Sequence, residues 1–326
     1  MTAPSSRRGF TLVELLVVTG LLAGFFGLLV AGLRPNANSQ VRQLSQTLSS
    51  ALLATQTRAL GNEAGGALFL DVTSGNVFTN TIFFTDMPPF IVGTVASGVP
   101  PATLSATTTT GTLSPTNADA ADLVFGYRIQ FSGTNPYAPP TPWMAFSSAG
   151  TTLSGTVSFR NAANQTSYNT IWPTIPSGGS LQFQIARYPI KSTSALDATK
   201  QAAIDLRYSG IGNTISGNYG SLNGKGPIAI NFDRTGGLDT VMQYGTGSTP
   251  NVDPITPTAP LYLLIASLSD IQDNRSLQSQ SSRWLAITPS TGRVTVAANV
   301  VVSGTLENDV VNARANARQG VTGGIK

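Results

Sequence analysis

Glu14 is the only ionisable side chain in the 24 residues from Phe10 to Leu33, a run otherwise made of apolar residues, glycine and threonine. A carboxylate inside such a segment is unfavourable by roughly 2.5–3.5 kcal/mol on membrane-insertion scales, so a partner is expected to neutralise it. Other chemistry is scarce. Histidine and cysteine are absent from all 326 residues, which removes Ser-His-Asp triads, Cys-His dyads and zinc sites built on imidazole or thiolate. Gly224-Lys225-Gly226 lacks the upstream glycine and the Ser/Thr after lysine of a phosphate loop, and reads as a turn. Asp233, Asp239, Asp253, Asp270 and Asp273 are scattered among turn residues. Asp270 and Asp273 beside Asn274 come nearest to a calcium loop, but without EF-hand spacing. The expectation is a protein that is not an enzyme, with no catalytic residue, no cofactor and no metal.

The element that carries Glu14 is long enough, as a helix, to cross a hydrocarbon core of roughly 30 Å. Arg7 and Arg8 precede it and Arg34-Pro35 ends it, so the balance of basic residues favours a cytoplasmic N-terminus, by two arginines against one. A secretory signal peptide has a shorter apolar core and a small-residue cleavage site. An uncleaved anchor and an atypical signal peptide both stay open at this level. Gly20 and Gly24 form a small-xxx-small spacing that permits close helix approach in lipid.

Gly9-Phe10-Thr11-Leu12-Val13-Glu14 behind a short basic leader resembles the class III signal of type IV pilins and type II secretion pseudopilins. The resemblance implies a leader at 1–9, cut after Gly9 by a prepilin peptidase that then methylates the new amine on Phe10. It also implies that Glu14, fifth in the mature chain, pairs during assembly with the Phe10 amine of a neighbouring subunit. The partners it implies are that peptidase, an inner-membrane platform with its assembly ATPase, and other pilins or pseudopilins in a homo- or heteropolymeric filament. The location it implies is a single pass in the inner membrane with the globular part in the periplasm, then a pseudopilus or cell-surface filament.

Past Pro35 the sequence turns polar yet keeps apolar residues at helical spacing, with Val41, Leu44, Leu48, Ala51 or Leu52, and Ala59, up to a stop at Leu60-Gly61. The expectation is an α+β fold in which one long bent N-terminal helix, transmembrane over 10–34 and amphipathic over 35–61, packs on an antiparallel β-rich globular domain at 62–326. Losing the leader removes Arg7 and Arg8 and leaves 17 basic against 15 acidic residues, a net of +2. Candidate strands are 67–72, 76–84, 123–131, 155–160, 181–188, 202–208, 227–232, 261–267, 284–288 and 293–297, several of which alternate apolar and polar residues. Thr73-Ser74-Gly75 and Pro289-Ser290-Thr291-Gly292 read as turns. Segments 94–121, 135–142 and 172–179 read as surface loops rich in Pro, Gly or Thr. The order of the later strands, with Gly292-Arg293-Val294 in the closing hairpin, resembles minor pseudopilins of the H and FimT-like group.

The tail at 310–326 is basic after Asp309, with Arg314, Arg318 and Lys326. Arg314 and Arg318, one helical turn apart, are candidate anion contacts, although three charges are too few to bind nucleic acid strongly by themselves. The function expected is that of a structural filament subunit. The alternatives are a filament-borne module that binds DNA, glycan or a secreted protein through loops or tail, and a membrane-anchored hydrolase working with carboxylates alone.

Overall fold

A computed structural model describes residues 12–32, 37–73, 75–96, 113–115, 127–132, 140, 143–148, 158–160, 180–196, 200–216, 219–224, 226–243, 253–301 and 306–320. The chain begins with α1 (Leu12–Gly32) and α2 (Ala37–Leu60). Strands follow in the order β1 (Gly66–Asp71), β2 (Phe78–Thr79), β3 (Thr81–Asp86), β4 (Ile91–Ala96), β5 (Leu113–Pro115) and β6 (Arg128–Phe131). Next come β7 (Met144–Ser148), β8 (Ser158–Arg160), β9 (Ser180–Ala186), β10 (Ile190–Leu196), β11 (Ala202–Ile211) and β12 (Ile228–Phe232). The chain then forms β13 (Leu238–Gln243), β14 (Asp253–Ile255), β15 (Leu261–Ser267), α3 (Leu268–Gln272), β16 (Arg283–Ile287), β17 (Val294–Ala298) and α4 (Leu306–Gln319).

These strands build three antiparallel sheets, ordered β10-β3-β1-β12-β13-β14, β17-β16-β15-β11-β2 and β5-β4-β9-β6-β7-β8. Sheet one and sheet two share a core with α2, whose Val41, Leu44, Leu48, Ala51, Leu52 and Ala59 are buried against strand residues such as Leu68, Ile230, Leu263 and Leu285. The chain leaves α2 through Gly65, whose φ of 84° suits glycine and whose added Cβ would lie 2.2 Å from the Phe232 carbonyl oxygen.

Sheet two is covered on both faces, which explains why β15 (LYLLIAS) reads as an unbroken apolar run. Leu261, Leu263 and Ile265 face α2, while Tyr262 and Leu264 join Trp284, Ala286, Val310, Ala313 and Ala317 beneath α4. Beside it, β11 bulges between Asp205 and Gly210. The Ser209 hydroxyl fills the interrupted ladder, accepting from the Leu264 amide at 2.9 Å and donating to the Asp205 carbonyl at 2.6 Å.

The expected long bent helix is not formed. The molecule is mostly antiparallel sheet with a few short helices, and α1 is a separate element whose described side chains run only from Leu12 to Phe26. Among the described residues no helix is long and apolar enough to cross a membrane. Of the two N-terminal helices it is α2 whose stripe the body buries, for a physical reason. Being apolar all round, α1 has no stripe that selects one face for the body, whereas α2 has one. The interval at 33–36 lies outside the described residues; its sequence contains Pro35, which lacks the amide donor a continuous helix needs.

Two further expectations change. Residues 76–84 are not one strand: β2 pairs with β11 in sheet two while β3 pairs with β1 in sheet one, so the chain changes sheets after Asn80. The loop assigned to 94–121 begins inside β4 and contains β5, which pairs back onto β4; 97–112 and 116–121 lie outside the described residues. Segment 172–179, Ser74 and all of 135–142 except Pro140 also lie outside them. The hairpin at Pro289–Gly292 is present, with β16 and β17 in antiparallel register.

Candidate functional site

Gly9 and Phe10 lie outside the described residues, and Glu14 occupies the first turn of α1, where a carboxylate is favoured by the helix dipole. The large apolar side chains around it, from Leu12 to Phe26, are 46–79% exposed. Thr19 returns its hydroxyl to the Leu15 and Leu16 carbonyls at 2.9 and 3.1 Å, so the helix satisfies its own hydroxyl. A Cβ placed on Gly20 or Gly24 would meet nothing within 4 Å. Both glycines face open space.

The basic tail divides. Arg314 is fully buried on the inner face of α4: its Nη1 donates to the Gly212 and Thr214 carbonyls at 2.8 and 2.9 Å, and its Nη2 to the Tyr208 and Gly220 carbonyls at 2.6 and 2.8 Å. The Tyr208 carbonyl lies in the β11 bulge, so this guanidinium satisfies backbone that the ladder leaves out. Burial pushes its pKa down to about 10. Arg318 is exposed in the last turn, and Lys326 lies outside the described residues. The two arginines therefore do not share a surface.

In the segment 270–274 the side-chain oxygens of Asp273 and Asn274 turn onto cations and a hydroxyl within the fold. Asp273 pairs with Arg275. Asn274, at φ 57°, accepts from Arg207 at 2.8 Å and from the Tyr208 hydroxyl at 2.9 Å. Arg207 in turn holds the fully buried Asp205, which also accepts from Ser276 at 2.6 Å. The bond to Asp205 raises the Arg207 pKa, and burial raises that of Tyr208. Among the described residues no three His, Cys, Asp or Glu side chains gather as a metal site.

The structure assembles one feature that spacing along the chain does not. A cleft of about 680 Å³ lies between sheet three and the β12–β13 turn. Its floor is one face of sheet three. The register aligns Gln130 with Gln184 and Val92, and Thr94 with Gln182, while Ile91, Ile129, Phe131, Phe183 and Ile185 alternate with them and are buried. Gln184 donates to Gln130 across the strands at 2.7 Å. Arg128 crosses the end of the floor to β13, forming a two-pronged pair with Asp239, with one bond of 3.2 Å. The guanidinium carbon also lies 5.2 Å from the Trp143 ring centroid, and Phe90 is 5.6 Å from the same ring.

The opposite wall is the β12–β13 turn. Asp233 shapes it by accepting from the Thr235 amide at 2.8 Å, the Thr235 hydroxyl at 2.6 Å and the Gly237 amide at 3.0 Å. Behind the turn, α2 extends Gln56, whose Nε2 donates to the Gly236 and Thr291 carbonyls at 2.8 and 2.9 Å. Gly292 closes this junction at φ 60°, where a Cβ would lie 2.0 Å from the Gly236 oxygen. One helix side chain thus holds two turns that are far apart in sequence.

Sequence reasoning placed no functional residue in this cleft. A signal existed: Arg128-Ile129-Gln130-Phe131-Ser132 and Gln182-Phe183-Gln184-Ile185 both alternate, which shows two strands with one polar face each. What those polar faces look onto is decided by residues 54 and 111 positions away. Comparison of the chain with protein-family models, with curated proteins and with solved structures finds no match.

Proposed function

We propose that this chain is a structural subunit of a type IV pilin-like filament, either a pilus or a secretion pseudopilus. It is cut after Gly9, methylated on Phe10 and assembled through its apolar N-terminal segment. The observation that supports this reading best is the exposure of that segment: ten large apolar side chains between Leu12 and Phe26 are each at least 46% exposed. Apolar surface on this scale is kept for a partner or for lipid. In the filament reading it meets lipid at the inner membrane first and neighbouring subunits afterwards. Gly20 and Gly24 are then sites of close approach between chains.

Glu14 receives a role in the same scheme. Cleavage creates an amine on Phe10, and a neighbour's Glu14 neutralises it as the subunit docks. Removing one partner of a pair held out of water leaves an expensive charge. The β-rich body faces the periplasm and then the filament exterior, and prepilin peptidase, a platform protein and an assembly ATPase act on the N-terminal end.

Mass spectrometry of protein from cells that possess the peptidase tests the reading. The expected mature chain begins at N-methylated Phe10. Glu14→Val is expected to leave membrane association intact and abolish incorporation into filaments. A chain still starting at Met1 or Thr2, or filaments that carry the Glu14→Val protein at normal levels, would overturn it.

A further inference from the structure

We infer that the cleft between sheet three and the β12–β13 turn binds a neutral oligosaccharide, independently of whether the chain polymerises. Its volume of about 680 Å³ lies within the usual range of ligand sites, roughly 300–1,000 Å³. Size alone does not choose the ligand, but the lining does.

The floor presents Thr94, Ser132, Gln130, Gln182 and Gln184, two hydroxyls and three carboxamides. Each of these groups can both donate and accept hydrogen bonds, although the Ser132 hydroxyl already donates to the Gln182 carbonyl at 3.1 Å and so offers a ligand its acceptor side. A ligand made of hydroxyls, which also donate and accept, matches such a surface better than one made only of acceptors. The bond between Gln130 and Gln184 fixes two of the carboxamides side by side before any ligand arrives, and a preorganised pair loses less entropy on binding.

Charge argues against an anionic ligand. Among the described residues, Arg128 is already matched by Asp239, and the remaining charged lining groups are Glu63, Asp233 and Arg234, so acids outnumber bases. A phosphate polymer would find no surplus of cations here. A peptide adding itself as a strand is also disfavoured, because the floor centres on β9, whose edges are taken by β4 and β6.

Phe90 and Trp143, both half-buried, close one end of the cleft. Aromatic side chains supply an apolar wall, and a pyranose ring offers a C–H face to it while its hydroxyls point to the amides.

The test is titration of the full chain, in micelles of a detergent without a sugar headgroup, with cellotetraose, chitotetraose, maltotetraose and mannotetraose, followed by calorimetry. An oligothymidylate and heparin serve as anionic probes. At least one neutral tetrasaccharide is expected to saturate with a Kd of about 1 mM or tighter. Trp143→Ala and Gln184→Ala are each expected to weaken it about tenfold or more, with thermal melts unchanged. Should Trp143→Ala fail to fold, Gln182→Ala, at an exposed position, carries the same expectation. No saturable binding of any of the four up to about 10 mM, unaltered affinity in the folded variants, or preference for either anionic probe would overturn the inference.

Discussion

Replacing Arg314 by alanine removes the guanidinium that bonds α4 to the β11 bulge and to the segment after β11. Four backbone carbonyls lose their donor at once, and those of Tyr208 and Gly220 are bonded in fully buried surroundings. Each buried acceptor left without a partner costs about 1–3 kcal/mol. Taking the two buried carbonyls in full and the two part-buried ones as largely rescued by water, the expected loss is about 2–6 kcal/mol. That is a large fraction of the roughly 5–15 kcal/mol that stabilises a domain. Arg314→Lys keeps a charge but has no planar fork, so it recovers only part of the loss. Arg318→Ala, at an exposed position one turn on, is expected to stay within about 0.5 kcal/mol of wild type. Urea unfolding of the full chain in micelles, followed by circular dichroism and by tryptophan fluorescence, reads all three, since Trp284 packs beneath α4. A loss below about 1 kcal/mol for Arg314→Ala, or an equal loss for Arg318→Ala, would refute the reasoning.

Gly292→Ala forces a Cβ to within 2.0 Å of the Gly236 oxygen and 2.8 Å of Gln56 Nε2, and is expected to destabilise by at least about 2 kcal/mol in a thermal melt. Gln56→Ala removes both bonds to the two turns and should cost about 1–2 kcal/mol; the double variant should lose less than the sum, because both changes break one junction. Tyr262→Phe removes a buried hydroxyl that has no hydrogen-bond partner among the described residues, so a gain of about 1 kcal/mol is expected at neutral pH. Burial raises the Tyr262 pKa, so the folded chain keeps a proton that the unfolded chain releases above about pH 10. The stability that this phenol contributes is therefore full below that pH and lost above it, at up to about 1.4 kcal/mol per pH unit. Alkaline unfolding should be shallower in Tyr262→Phe than in wild type. Arg314, whose pKa is lowered to about 10, acts in the opposite sense over the same window but is common to both proteins.

Local pattern was enough to find most strands. Residues 261–267 coincide with β15, and the apolar positions of α2 were legible from their spacing by threes and fours. The local pattern does not mark β4, β5, β7, β10, β13 or β14. Four of the seven residues of β10, Ile190-Lys191-Ser192-Thr193-Ser194-Ala195-Leu196, are serine, threonine or lysine, and five are exposed, so little apolar alternation marks it. β13 follows the Asp233–Gly237 turn closely, and its Asp239 reads as a turn residue. Arg314 was misplaced for a different reason. A charged residue in a polar tail reads as solvated, yet it lies on the face of α4 that carries Val310, Ala313 and Ala317, where the β11 bulge supplies one carbonyl and the segment after β11 three more.

The sequence by itself determined the absence of histidine and cysteine chemistry, the apolar N-terminal segment with Glu14 inside it, the amphipathic stripe of α2 and the alternation of the strands. These are properties of composition and of periods of two to four residues. Only the tertiary structure decided that α1 stands as a separate helix while α2 is buried on the sheets, that Arg314 faces inward, and that Arg128, Asp239, Gln184 and Trp143 border one cleft. The burial of α2, the inward turn of Arg314 and the cleft all depend on which distant strands pair. Arg128 and Asp239 are 111 residues apart and Gln56 and Thr291 are 235 apart. No local period encodes separations of that length, whereas burial of the shared core enforces them.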